Sequence, residues 1–335
     1  MSSLLTALSG HRPERLPVWF MRQAGRSLPE YKQAREGTTI LEACLKPELA
    51  AEITLQPVRR HNVDAAIFFS DIMTPLVLAG VDVDIKPGIG PVIDHPVRTA
   101  ADVERIVSHR IDDASAITEA VRLVVGELGE ETPLIGFAGA PFTLAAYLVE
   151  GQGSRDHLQA RAMMHADPQS WHKLLDWAAD LSAQFLGVQI DAGARAVQLF
   201  DSWAGALSRA DYVDRVQPHS AKVLAAVEGR VPRIHFGVGT RHLLTDMAEA
   251  GAEALGVDYR TPLDEAARLV PGLPLQGNID PALLAAGWDA LEAHARDVVE
   301  RGRQAPAHVV NLGHGVPPTT DPQVLTDLVA LIHEL

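Results

Sequence analysis

Short apolar runs recur along the chain, each bounded by Gly, Pro, Asp or Ser. They fall at residues 16–20 (LPVWF), 65–71 (AAIFFSD), 133–141 (PLIGFAGAP), 196–202 (AVQLFDS), 233–239 (RIHFGVG), 254–259 (ALGVDY), 273–280 (LPLQGNID) and 308–315 (HVVNLGHG). Their centres are apolar throughout rather than alternating, the pattern of a parallel strand covered on both faces. Between them lie longer stretches such as KPELAAEITLQPVRRH, DPQSWHKLLDWAADLSAQFLG, TRHLLTDMAEAG and DPALLAAGWDALEAHARDVVERG. Several open on Asp, Thr or Pro and stop at Gly, as helices do. Eight strands alternating with helices predict an α/β fold, a single (β/α)8 TIM barrel over residues 1–335, with an open doubly wound sheet as the rival. The segment VLAGVDVDIKPGIGPVIDHPV, after the second run, reads as a small hairpin insertion. No repeat or low-complexity linker divides the chain, so one catalytic domain is expected.

In such a barrel the chemistry sits past the carboxyl ends of the strands. The residues there are Arg22 and Arg26, then Asp71, then Tyr147 in GAPFTLAAY, then Asp201 and Ser202, Asp258 and Tyr259, Asn278 and Asp280, and His314. Net charge makes the first pair stand out. With 29 Lys+Arg against 43 Asp+Glu the chain carries −14, which repels nucleic acid and anionic membranes unless basic residues are concentrated locally. Only five of its cations are lysine, so positive charge is mostly guanidinium, the planar fork that grips carboxylates.

Each candidate has a plainer reading. Arg22 and Arg26 are surface arginines, one pairing with Glu30, or they bind a ligand that Gly25 lets the backbone approach. Asp71 caps the following helix, or its carboxylate sits at the floor of a pocket walled by Phe68 or Phe69. His314, between two glycines, marks a turn or a site, and Tyr147 packs on a helix or lines a cleft. Ser202 lacks the Gly-x-Ser-x-Gly elbow of a hydrolase nucleophile.

Several chemistries lose support. No lysine falls at a strand end, against Schiff-base and pyridoxal phosphate enzymes, and neither FGVGTR nor EGQGSR completes a dinucleotide fingerprint. The 14 histidines form no His-Glu-x-x-His pattern, and Cys44 is the single cysteine, so no metal site, disulfide or redox pair is expected. Without a leader-like amino terminus or an 18-residue apolar run, a cytoplasmic protein with no membrane partner is expected. What remains is cofactor-free chemistry on an acidic small molecule.

The blocks PVWFMRQAGRSLPEY, FFSDIMTP, GAPFTLAAYLVEGQGS, LQGNIDP and NLGHGVPP, in this order over essentially the whole chain, resemble the uroporphyrinogen decarboxylase family. The resemblance implies a (β/α)8 barrel that forms a homodimer and, without a cofactor, converts the four acetate arms of uroporphyrinogen III to methyl groups, giving coproporphyrinogen III in haem biosynthesis. It also implies roles for particular residues. Arg22, Gln23, Ala24, Gly25 and Arg26 bind substrate carboxylates, Asp71 faces the pyrrole N–H groups, and Tyr147, Ser202 and His314 complete the site, with Asp71 and Arg22 catalytic and the proton donor open between Arg22, His314 and water. The chain departs from members found in animals at Trp203, where they commonly carry His, and at Phe142, where they carry Trp. Competing readings are a non-catalytic carrier of an anionic tetrapyrrole, a phosphate-binding barrel isomerase, and a zinc-dependent corrinoid or thiol methyltransferase of the same superfamily. The position of Cys44 on an early helix, far from any strand end, counts against the last.

Overall fold

The computed structural model describes residues 2–86 and 88–335. Its strands, in chain order, are β1 (Ala66–Ile67), β2 (Val83–Lys86), β3 (Gly90–Ile93), β4 (Leu134–Gly139), β5 (Ala196–Asp201), β6 (Arg233–Gly237), β7 (Ala254–Gly256), β8 (Leu275–Gln276) and β9 (His308–Val309). Seven of them form one parallel sheet in the order β1-β4-β5-β6-β7-β8-β9, and β2 pairs antiparallel with β3. The sheet strands are buried along nearly all their length, so their sequences are mostly apolar rather than alternating, with Gln198, His235, Gln276 and His308 among the buried polar exceptions.

The expected eighth strand, at 16–20, is not an assigned strand, and the sheet has seven strands where eight were expected. Only Val18 makes a ladder bridge, to Val310 beside β9. The physical reason lies in the backbone donors. Pro17 has none, Val18 N–H goes to the Asp64 carboxylate at 2.8 Å, Phe20 N–H to Gln23 Oε1 at 2.9 Å and Met21 N–H to Asn311 Oδ1 at 2.9 Å. Trp19 N–H still reaches Val310 O at 3.2 Å, while Val18 O accepts Asp64 N–H at 2.8 Å just before β1. Val310 N–H donates to Pro17 O at 2.8 Å, so the segment touches both edges of the curled sheet through side chains as well as main chain.

Helices cover the outer face. Pro168–Ala192 starts on an Asp167 side-chain cap, and its Gln189 pins both the N–H and the C=O of Phe137 in β4, each at 3.0 Å. The stretch expected as one helix from 280 splits at Gly287 into a 3₁₀ turn, Pro281–Ala285, and the helix Trp288–Gly302. Inside the curl, Trp19 Nε1–H donates to Gln276 Oε1 at 3.0 Å and Gln276 Nε2–H to Gln198 Oε1 at 2.8 Å, so a polar layer spans the interior. Toward the carboxyl ends of the strands, Phe137, Phe200 and Phe236 pack edge to face, with ring centroids 5.4 and 5.8 Å apart.

Candidate functional site

The three phenylalanines floor a cleft of about 400 Å3 at the carboxyl ends of the strands. Arg22, Ala24, Gly25, Arg26, Asp71, Tyr147, Ser202 and His314 all line it. Gln23 does not. Its side chain is buried, with Nε2–H donating to Ala65 O at 2.9 Å and Oε1 accepting Phe20 N–H, so its amide is spent on holding the loop and is not offered to a ligand.

The loop 21–26 is bent by backbone that favours glycine yet carries arginine. Arg22 and Arg26 have φ of 63° and 44°, and Gly25 has 108°. Strain of this kind persists only where the surroundings over-determine it. Here Gln23 and Asn311 grip the loop from below, and Val316 N–H donates to Met21 O at 2.9 Å. Gly25 is pressed to within 3.4 Å, measured from an added Cβ, of the Tyr31 ring. Both guanidinium groups are exposed, and neither forms an ion pair among the described residues. Glu30, the carboxylate that was a possible partner, is instead held by two hydrogen bonds from Arg60, at 2.6 and 2.8 Å.

Asp71 does not cap the helix Thr74–Leu78, whose N-cap Met73 has no side-chain capping bond. One Asp71 carboxylate oxygen accepts Met73 N–H at 2.9 Å, closing the turn before that helix, and the group also faces the cleft. Burial raises its pKa above the ordinary carboxylate value, opposed by the Met73 bond and the nearby Arg22 charge. The same recessed surroundings push the Tyr147 hydroxyl up to about 12, burial first and the Asp71 charge second. His314 moves down, through burial and then the positive charges of Arg22 and Arg260, so its imidazole is neutral at neutral pH. Arg260 lies on no apolar run and escaped the sequence reading. It is held by the buried Asp258 and stacks over Tyr259 at 4.6 Å.

Asp201, next to Ser202 in chain, points the other way: it is fully buried and accepts a hydrogen bond from Thr143 Oγ1 at 2.9 Å. Cys44 is also corrected. Expected far from any strand end, it packs under the turn after β1, where burial and then the Asp71 charge push its thiol up. Among the described residues no three His, Cys, Asp or Glu side chains converge as metal ligands would, and no helix is long and apolar enough to cross a membrane. Phe142 and Trp203, the two departures from the resemblance, lie on either side of His157. The phenylalanine floor was missed as a site feature; its signal was one phenylalanine near the end of each of three consecutive strands.

Comparison with known proteins bears on fold and family separately. Among solved structures, a methyltransferase from Methanosarcina mazei superposes with a TM-score of 0.80 over 99% of this chain and 97% of its own, at 20% identity. A B12-independent methionine synthase from Shewanella sp. W3-18-1 follows at 0.59, covering 85% of this chain and 86% of its own at 12% identity. At such identities the likeness is one of fold. Sequence similarity is far closer elsewhere. The protein named uroporphyrinogen decarboxylase from Arthrobacter sp. (strain FB24) is 63% identical over 100% of this chain and 97% of its own. The one from Salinispora tropica is 62% identical over 95% and 86%, and that from Leifsonia xyli 58% over 99% and 94%. The profile of the uroporphyrinogen decarboxylase (URO-D) family matches residues 1–335 from end to end, and the chain belongs to that family.

Proposed function

We propose that this chain decarboxylates the four acetate arms of uroporphyrinogen III to give coproporphyrinogen III. The observation that carries the reading is full-length similarity at 63% to a protein of that name, joined to a cleft in which two unpaired arginines stand at the mouth and a carboxylate lies within. The substrate is a flexible macrocycle with eight carboxylates, so an arginine-rich mouth on a chain of net charge −14 has a use.

The chemistry needs an electron sink, and the substrate's own pyrrole supplies it. A proton added to the ring carbon beside the acetate arm makes the ring cationic. The bond to the carboxylate then breaks, carbon dioxide leaves, and its electron pair moves into the ring. A second proton completes the methyl group as the ring carbon releases the first. Asp71, recessed in the apolar cleft, faces the pyrrole N–H groups and stabilises the cation as it forms. Arg22 and Arg26 grip carboxylates, and Tyr147, Ser202 and neutral His314 offer hydrogen bonds. Guanidinium parts with its proton reluctantly, so Arg22 acts first as a clamp.

The finer architecture belongs to the same reading: the segment 16–20 acts as an eighth stave closing the barrel, with the β2–β3 hairpin as an insertion at its mouth. A single catalytic domain, a homodimer in the cytoplasm and no cofactor complete it.

The test is incubation with freshly reduced uroporphyrinogen, oxidation, and separation of products by carboxylate number. A shift from eight carboxylates to four is expected. An unchanged eight-carboxylate profile with the macrocycle bound would make the protein a carrier, since the same arginines serve binding alone.

A further inference from the structure

A column of flat side chains runs from the cleft into the helical layer. Tyr147, whose ring lines the cleft, stacks on Trp203 with centroids 3.9 Å apart and planes 31° apart. The Trp203 ring in turn stacks on His157, at 4.3 Å and 30°. Phe142 meets His157 edge-on at 6.2 Å and 84°, and Trp171 lies beyond Phe142 at 6.1 Å. Neither Trp203 nor His157 borders the cleft.

Each supporting residue is held through its backbone. The Trp203 backbone N–H donates to Thr143 Oγ1 at 3.4 Å, and that hydroxyl donates to Asp201. His157 is buried, its backbone is in the left-handed region at φ 49°, and its N–H donates to Ser154 Oγ at 3.0 Å. A non-glycine residue held in that conformation with its ring clamped between two aromatics marks a position the surroundings specify. Its Nδ1 has no hydrogen-bond partner among the described residues, and its face is given to the Trp203 ring. Burial keeps it uncharged by lowering its pKa.

We propose that Trp203 and His157 are positioning residues that act through Tyr147, fixing the plane of its ring and the place of its hydroxyl against the bound macrocycle. A phenol on a helix has two free side-chain torsions, and a face-to-face neighbour restricts both. Ångström-scale misplacement of a catalytic-site group costs up to two orders of magnitude in rate. The inference rests on the decarboxylase reading and adds to it two residues that touch no substrate.

The experiment is a double-mutant cycle on the full chain, with kcat and KM for reduced uroporphyrinogen measured for wild type, Tyr147→Phe, Trp203→Leu and the pair. Trp203→Leu is expected to lower kcat about tenfold with KM within about threefold, and to have no further effect, within about twofold, in the Tyr147→Phe background. Trp203→Phe, which keeps a ring, should recover most of the loss. His157→Leu and His157→Phe give the same contrast one layer back and serve if Trp203→Leu does not fold. Near-ultraviolet circular dichroism gives a readout independent of turnover: the band that Tyr147→Phe removes should already be absent in Trp203→Leu. Fully additive losses, or a Tyr147 band unchanged by Trp203→Leu, would overturn the proposal. An inactive wild type with the band behaving as expected would instead reject the decarboxylase reading alone.

Discussion

Gly315 lies flat against the aliphatic stem of Arg22: a Cβ built on it would stand 2.8 Å from Arg22 Cγ and overlap Cδ. The last strand-end loop thus forms one wall of the slot that aims the first loop's guanidinium. Gly315→Ala must push Arg22 aside. A raised KM, or a loss of about tenfold to a hundredfold in kcat/KM, is expected with a melting temperature close to wild type, because the atom displaced belongs to a long, exposed side chain. Steady-state kinetics beside calorimetry checks this, and a large fall in melting temperature would mean that the loop itself had shifted.

Arg22→Lys separates gripping from proton delivery. Lysine keeps the charge and loses the fork, so KM should rise about tenfold or more, the scale of one charge-assisted hydrogen bond, with turnover at saturation little changed. Turnover that collapses at saturating substrate would show that Arg22 also supplies the proton.

Asp71 sets activity against stability. Its pKa is raised in the folded chain by burial, so the stability it contributes is present below the unfolded value of 3.8 and is lost as pH rises through the folded value. Asp71→Asn is therefore expected to melt higher than wild type at neutral pH, the gap closing as the solution is acidified. Turnover should fall on the order of a hundredfold to a thousandfold with removal of the charge. The acid limb of the wild-type rate profile should lie above the ordinary aspartate range. Near-normal turnover in the variant would remove Asp71 from the mechanism.

At the amino-terminal end of β1 the sign reverses. Burial alone would raise Asp64, but bonds from His333 at 2.7 Å and Val18 N–H at 2.8 Å, together with Arg15, hold it below the ordinary value. Its contribution is present above the unfolded value of 3.8 and is lost as pH falls through the lower folded one. Asp64→Asn should cost about 1.5–3 kcal/mol at neutral pH, and progressively less in acid, in denaturant titrations. A cost independent of pH would count against the charge as its source.

Much of this was legible in the sequence. Seven of the apolar runs became strands because a parallel strand buried on both faces has a composition of its own. The run at 16–20 has that composition too, but where its N–H groups went depended on Asp64, Gln23 and Asn311, which no local pattern reveals. Strand-end positions picked out most of the cleft, since the fold puts them there regardless of register. Gln23 failed because neighbours in a tight loop face opposite ways, and Cys44 failed because distance along the chain says little about distance beneath a turn. The division of 280–302 at Gly287 needed a left-handed φ of 93° that periodicity does not show.

The segment 16–20 meets its neighbours through amide and carboxylate side chains as much as through main chain. A main-chain ladder is indifferent to sequence, whereas bonds from Asp64, Gln23 and Asn311 can each be edited by a single codon. The seam between the first and last parts of the chain is thus its most rewritable join. Because the same Gln23 and Asn311 bonds carry the arginine loop, a change made there to retune assembly of the fold will also move Arg22 and Arg26 at the cleft.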